Sequence, residues 1–372
     1  MKAILPRTEF LDALSAATTL TSGRTTKPIY ACVRLVAEKG RMEISATDGE
    51  AGLRLHVPAM SVSKDGQVVV GADKLVNIIR ELPDVEVALE VTDRHCLIRG
   101  EGSEFRIFTQ NAGDFPPVAG LDDEPDLVVS GGELRRMIAQ TIYSSARETT
   151  RYAINGVLWE KSGKKLFLVA TDGRRLARAG GNIRQTSSAD FSVIVPNKAL
   201  SVFEKVFQAP RDGSDWNVQI KVLPNQILIR SDQRVLSTIL LDGHFPDYNQ
   251  VIPKSSERKA TLNRQEFFSA VRRVALLTSD ETRAVKLSFK KDKLELTAQS
   301  PEQGDARVQM TIEFSGESLD IGFNPTYIND ALKVLTQEEL NFELQDGSKP
   351  GVLCTAERNE FLYVIMPVTL SF

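Results

Sequence analysis

Apolar side chains recur at helical spacing in six stretches of the chain. They are Phe10, Ala13, Leu14, Ala17; Leu75, Ile78, Ile79, Leu82; Leu134, Met137, Ile138, Ile142; Leu200, Phe203, Val206, Phe207; Phe267, Ala270, Val271, Val274; and Ile328, Ala331, Leu332, Leu335. Spacings of three and four residues gather one apolar stripe on an α-helix, so each stretch predicts an amphipathic helix lying on a sheet. Ser130 with Glu133, and Asn263 with Glu266, have capping-box spacing, and Pro325 suits a first helical turn. The shorter runs Val85 to Val91, Leu166 to Ala170, Val218 to Val222, Leu236 to Leu241 and Leu294 to Ala298 read as strands. Lys64-Asp65-Gly66, Lys161-Ser162-Gly163 and Lys290-Lys291-Asp292 carry turn chemistry, which predicts antiparallel hairpins instead of parallel crossovers. The class is α+β.

The same pattern repeats along the chain. Ala46-Thr47-Asp48-Gly49 returns as Ala170-Thr171-Asp172-Gly173, and Leu296-Thr297-Ala298-Gln299 is a weaker third copy. Val69-Val70-Gly71-Ala72, Ile194-Val195-Pro196-Asn197 and Ile321-Gly322-Phe323-Asn324 each end a strand-like run and open a helix-like one. Leu97-Ile98-Arg99 recurs as Leu228-Ile229-Arg230, and Gly113-Asp114-Phe115-Pro116 as Gly243-His244-Phe245-Pro246. A fixed period means one unit repeated, here three versions of one domain with two helices each. Acidic and proline-containing segments around Leu121 to Asp126 and Pro253 to Arg258 read as linkers. The boundaries expected are therefore 1–121, 127–253 and 254–372.

Composition narrows the function class. Of 372 residues, 42% are hydrophobic and 26% charged, the balance of a globular protein. The chain has no signal-peptide pattern and no membrane-length apolar run, so cytoplasmic is the expected location. Cys32, Cys96 and Cys354 stand apart in apolar contexts, which predicts buried free thiols. His56, His95 and His244 are equally scattered, so neither a metal nor a cofactor is expected. A net charge of −3 argues against holding nucleic acid by bulk electrostatics, although it leaves room for segregated charge.

Four further motifs, in order inside the repeat, carry a family resemblance. They are Ala170-Thr171-Asp172-Gly173-Arg174-Arg175-Leu176-Ala177, Arg151-Tyr152-Ala153-Ile154-Asn155-Gly156, Asp242-Gly243-His244-Phe245-Pro246-Asp247-Tyr248 and Tyr363-Val364-Ile365-Met366-Pro367. From Met1 to about Leu370 the chain resembles the bacterial sliding clamps, the beta subunits of DNA polymerase III. The resemblance implies three similar domains, each with two helices and two antiparallel sheets, in a head-to-tail dimer that closes a ring on duplex DNA. It also implies a non-catalytic processivity factor. Partners would be DNA without regard to sequence, a second copy of the chain, the replicative polymerase subunit, the clamp loader, and other polymerases and repair proteins. A clamp paralogue with a restricted partner set remains open as an alternative.

The resemblance assigns candidate residues to three surfaces. The polar helix faces, which would turn to DNA, carry Lys74, Arg80, Arg135, Arg136, Lys198, Lys205, Arg272 and Arg273, and Arg24, Arg147 and Tyr152 are further contacts. Weak phosphate contacts suit a ring, because topology retains it while tight contacts would resist sliding. A cleft for partner peptides between the second and third domains maps to Ile154, Thr171, Gly173, Arg174, Arg175, Leu176, Pro246, Val251, Asn324, Tyr327, Met366, Pro367 and Val368. Met adapts its shape, Leu and Val make apolar wall, Gly173 admits a backbone, and Arg175 would offer hydrogen bonds at the rim. The subunit joint maps to Lys74, Ile78, Phe105, Ile107, Leu276 and Leu277, with Lys74 and Arg106 opposite acids such as Glu302 or Asp305. Arg174, Asn249, Gln250 and Thr369 depart from commoner family residues and leave one cleft edge less basic. The terminal Ser371-Phe372 adds an aromatic that would fold over the cleft or partly occupy it.

Two other classes fare worse on the same residues. Asp48 and Asp172 with His244 could suggest acid-base catalysis. Repeat equivalence, however, puts the two acids in different domains, and Asp before Gly most simply makes a turn. A base-reading regulator would need an exposed reading helix and a more basic surface.

Overall fold

The structure is a computed structural model describing residues 1–21, 27–92, 94–146, 148, 152–278 and 284–370. Among the described residues, six α-helices carry the six apolar stripes: α1 (Arg7–Thr21), α2 (Ala72–Glu81), α3 (Gly131–Thr141), α4 (Asn197–Val206), α5 (Arg264–Val274) and α6 (Pro325–Val334). Burial follows the stripes. Phe10, Leu14 and Ala17 of α1, Leu75 and Ile79 of α2, and Phe267, Ala270, Val271 and Val274 of α5 are fully buried. Leu82, Phe207 and Leu335, each just past a helix end, are buried too, and their amides still donate to the last turn. Ile142 lies beyond α3, in the 3-10 turn Ile142–Ser144.

Asn263 caps α5 by accepting from the amides of Gln265 and Glu266, and Asn324 caps α6 through the amide of Thr326, just ahead of Pro325. Ser130 behaves differently from the capping-box expectation. It ends the strand Leu127–Ser130, and its hydroxyl donates to Asp215 Oδ1 at 3.2 Å.

The strand pairings are antiparallel among the described residues. Two of the three predicted turns close hairpins. Gly163, at φ 55°, joins Gly156–Ser162 to Lys165–Thr171, and Asp292, at φ 60°, joins Val285–Lys290 to Lys293–Ser300. Lys64-Asp65-Gly66 is a corner instead, which corrects the hairpin expectation. The strand before it, Ser61–Lys64, pairs with Lys2–Pro6, whereas Gly66–Gly71 pairs with Cys32–Glu38. The physical reason lies far away in sequence, since Gly66 at φ 155° sits so close to Met1 that a Cβ would lie 3.1 Å from the Met1 side chain.

The chain divides into two compact units. One comprises Met1–Gly132, Ile183–Ala189 and Lys198–Leu240; the other comprises Glu133–Asn182, Asp190–Asn197 and residues 241–372. Each contains a seam at which strands of successive repeats join. In the first unit Ala51–Pro58 pairs with Arg234–Ile239, placing Leu53 opposite Leu236. In the second, Arg175–Thr186 pairs with Phe361–Ile365, placing Leu176 opposite Val364. Cys32, Cys96 and Cys354 are free and buried, as their contexts predicted. No helix among the described residues is long and apolar enough to cross a membrane.

Candidate docking cleft and basic faces

The second seam begins at the Thr171-Asp172-Gly173 turn. The Thr171 hydroxyl donates to the Arg175 carbonyl at 2.7 Å and accepts from the Gly173 amide, while Asp172 Oδ1 accepts from the amides of Arg174 and Arg175. Gly173 has φ 85°, a left-handed conformation that favours glycine, and a Cβ there would meet only open space. This turn presents Leu176 to an apolar cluster with Leu158, Val169, Ile194, Val352, Leu362 and Val364, onto which Leu241, Phe245 and Ile252 pack half-buried.

Beside that cluster large apolar side chains stay in solvent, with Val251 47% and Met366 40% exposed. The Met366 amide donates to the Arg174 carbonyl at 3.0 Å, which carries the chain out along the cleft edge, and the Val368 amide donates to Gly322. Pro246, Pro367 and Val368 are half-buried, Ile154 and Thr171 buried, and Gly173 and Arg174 exposed. Asn324 caps α6, and Tyr327 follows one turn later. The fold thus brings Leu176, Met366 and the α6 N-terminal residues to one seam. Ser371 and Phe372 lie outside the described residues.

Arg175 differs from the rim donor expected of it. Its side chain is 11% exposed, and all three nitrogens are engaged within the chain. Nε donates to Asp172 Oδ2 at 3.0 Å, Nη1 to Asp330 Oδ2 at 2.6 Å and Nη2 to the Tyr143 carbonyl at 2.7 Å. The guanidinium lies over the Tyr327 ring, 4.5 Å from its centre. Burial works against its charge, yet Tyr363, Asp330 and Asp172 more than offset that and hold its pKa above the ordinary arginine value.

The basic helix residues fall into two groups. Lys74 on α2, Lys205 on α4, and Arg272 and Arg273 on α5 are exposed. Arg272 lies over the Phe268 ring and Arg273 reaches back to the Ser269 carbonyl, so both keep spare donors. Arg80 is exposed and leans on Asn77. Others are held by the chain itself: Arg136 donates to Gln140 and to the Gly180 carbonyl, both at 2.9 Å, and Lys198 forms an ion pair with Asp48. Arg135 is half-buried and Tyr152 exposed, while Arg24 and Arg147 lie outside the described residues.

The two acids that suggested catalysis have a structural occupation. Asp48 accepts from the amides of Glu50 and Ala51, as Asp172 does in its own turn, and Asp48 belongs to one unit and Asp172 to the other. Burial opposes the Asp48 carboxylate, but the backbone bonds and Lys198 outweigh it and hold its pKa below the usual aspartate value.

Ser103–Gln110 and Gly304–Thr311 are edge strands among the described residues. Ser103–Gln110 pairs with His95–Gly100 and touches Val69 and Val70 only through Thr109 and Gln110, and Gly304–Thr311 pairs with Lys293–Ser300 alone among the described residues. Phe105 is exposed on the first, Ile107 half-buried, and Arg106 donates to Glu104. Phe108, 77% exposed, was missed by the sequence reading because it sits on the strand face opposite Phe105 and Ile107. On α2 Ile78 is half-buried, and beyond α5 Leu276 is 76% exposed with Leu277 half-buried.

Three family models match the chain in order. They describe the N-terminal, central and C-terminal domains of the DNA polymerase III beta subunit and match residues 1–119, 128–247 and 249–369. A beta sliding clamp of Escherichia coli K12 is 31% identical over 371 residues, covering 100% of both chains. One from Pseudomonas aeruginosa is 30% identical over 367 residues, covering 98% of this chain and 99% of its own. Among solved structures, the Pseudomonas aeruginosa beta subunit superposes with a TM-score of 0.92 at 30% identity, covering 100% of both chains, and the same score holds for a clamp of that organism bound to griselimycin. The Bacillus subtilis clamp gives 0.93 at 26% identity, covering 100% of this chain and 99% of its own. With its three repeats, seam and turn motifs all accounted for, the chain belongs to the bacterial DNA polymerase III beta subunits, the beta sliding clamps, which are non-catalytic processivity factors.

Proposed function

We propose that two copies of this chain pair head to tail into a ring around duplex DNA, and that the cleft beside Leu176 and Met366 tethers the replicative polymerase and other replication and repair proteins. The cleft carries the reading. An apolar cluster with solvent-exposed Val251 and Met366 at its margin, next to the open space over Gly173, is the anatomy of a pocket that takes apolar anchor residues from a peptide. A related Pseudomonas aeruginosa clamp is bound to griselimycin, and ligand binding is carried to this chain at the cleft on its own geometry.

The ring joint follows from the open edges. Unpaired strand edges are an aggregation liability, and pairing Ser103–Gln110 of one copy with Gly304–Thr311 of another would satisfy both. Phe105, Phe108 and Leu276 would then lose their exposure to water. A monomer in light scattering at micromolar concentration would contradict this joint.

DNA contact is proposed through Lys74, Lys205, Arg272 and Arg273, whose charges face solvent. Scattered exposed cations on a chain of net charge −3 suit weak phosphate contact without base reading. The test is retention on nicked circular DNA after loading, followed by linearisation. A ring slides off the ends, whereas equal retention on both forms would make the chain a conventional binder.

A further inference from the structure

The structure assigns Arg175 a positioning role: its guanidinium fastens the wall of the docking cleft to α6 and to the end of α3, and thereby sets partner affinity without touching the partner. The inference deepens the docking reading above and rests on it. Each nitrogen of the guanidinium bonds to a different part of the fold. Nε takes the acid of its own turn, Nη1 takes Asp330 on α6, and Nη2 takes the Tyr143 carbonyl in the 3-10 turn that follows α3.

One face of the guanidinium is covered by the Tyr327 ring of α6. The seam is closed from the other strand, where the Tyr363 hydroxyl donates to the Tyr327 carbonyl at 2.9 Å. What the network holds is the cleft itself. Asp172 accepts from the amides of Arg174 and Arg175, Leu176 is the next residue, and the Arg174 carbonyl receives the Met366 amide. A shift of the guanidinium therefore moves the turn, the Leu176 wall and the Met366 edge together.

Lysine cannot reproduce this arrangement, because one ammonium on a flexible stem does not fork to three acceptors on three elements. The other seam shows the same turn without the fastening, since Ala51 occupies the place of Arg175.

The experiment uses the full chain with Arg175→Lys, Asp330→Asn and the double variant, and griselimycin as the probe. Each single variant should weaken griselimycin binding by roughly tenfold, the scale of one charge-assisted hydrogen bond, and the double variant by no more than either single one, because the two residues act as a unit. Without any ligand, hydrogen exchange of the 172–176 amides should quicken in all three variants while that of 51–56 stays unchanged. Loss of binding in Arg175→Lys alone, with Asp330→Asn and the exchange rates at their original values, would make Arg175 a direct contact and overturn the proposal. Unchanged binding in every variant would overturn it as well. Failure of the unsubstituted protein to bind griselimycin would count against the docking reading at this cleft, and the exchange rates would then decide the latch.

Discussion

The two seams share a turn and differ in what lies over it. At the first, Thr47-Asp48-Gly49 repeats the hydrogen bonds of Thr171-Asp172-Gly173 almost bond for bond, and both glycines have positive φ. Position by position, Ala51 then stands for Arg175 and Gly52 for Leu176. A Cβ on Gly52 would lie 2.7 Å from Val118 and 2.9 Å from the Ser237 hydroxyl, and one on Gly49 would lie 2.8 Å from the Tyr30 hydroxyl.

The linker of the first seam thus fills its own groove, with Phe115, Val118 and Leu121 buried. At the second seam the corresponding linker leaves Val251 in solvent and Phe245 and Ile252 half-buried. One fold makes a sealed joint and an open cleft, and the switch is a side chain traded between strand and linker. Repeat likeness marks the scaffold here, and repeat difference marks the proposed docking site.

The comparison can be broken at its pivot. Leu176→Ala removes buried wall with nothing to replace it and should lower stability by about 2–5 kcal/mol, read as a shift in denaturant midpoint. Gly52→Leu puts the second seam's residue into the first, where Val118 already occupies the space. A loss of roughly 1–3 kcal/mol is expected, with no new binding site. An unchanged midpoint for Gly52→Leu would mean the first seam is not sealed as described.

Smaller effects sharpen the contrast. Asp48→Asn keeps the acceptor of its turn but loses the ion pair to half-exposed Lys198, which is worth about 0.5–1 kcal/mol at neutral pH. Because the Asp48 pKa is lowered in the folded state, this contribution is complete above the ordinary value of 3.8 and disappears as pH falls through the folded value. The gap in melting temperature between the two proteins should therefore narrow as pH falls below 3.8; a gap that stayed constant would point to shape instead of charge.

Met366→Ala should cost about 1 kcal/mol, less than Leu176→Ala because the residue is 40% exposed, while weakening griselimycin binding. That separates the open seam's surface from its wall. Smallest of all is the response of the thiols, none of which belongs to the apolar cluster around Leu176. Burial pushes Cys96 up to about 11 and Cys354 up to about 12, and Cys32 is raised by burial as well. Iodoacetamide at pH 8 should leave all three unmodified until the protein is denatured, as judged by mass spectrometry.

Much of this was legible in one dimension. The six helices, the hairpins at Gly163 and Asp292, the Asn263 cap and the buried cysteines follow from periodicity and turn chemistry, which act over a few residues. The motifs around Leu176 and Val364 lie on the two paired strands of one seam. The sequence reading faltered where a residue's partner is distant. Lys64-Asp65-Gly66 has hairpin chemistry, yet Met1 makes it a corner, and Ser130 turns to Asp215 across 85 residues.

Residue order alone carries a threefold α+β repeat with a Thr-Asp-Gly turn in two of its copies. Folding decides which of those turns is covered and which stands beside the proposed cleft. Val118 covers Gly52 from a linker, and Asp330 reaches Arg175 across 155 residues. Neither contact leaves a periodic trace, because side chains far apart in sequence meet only when the strands that carry them have paired.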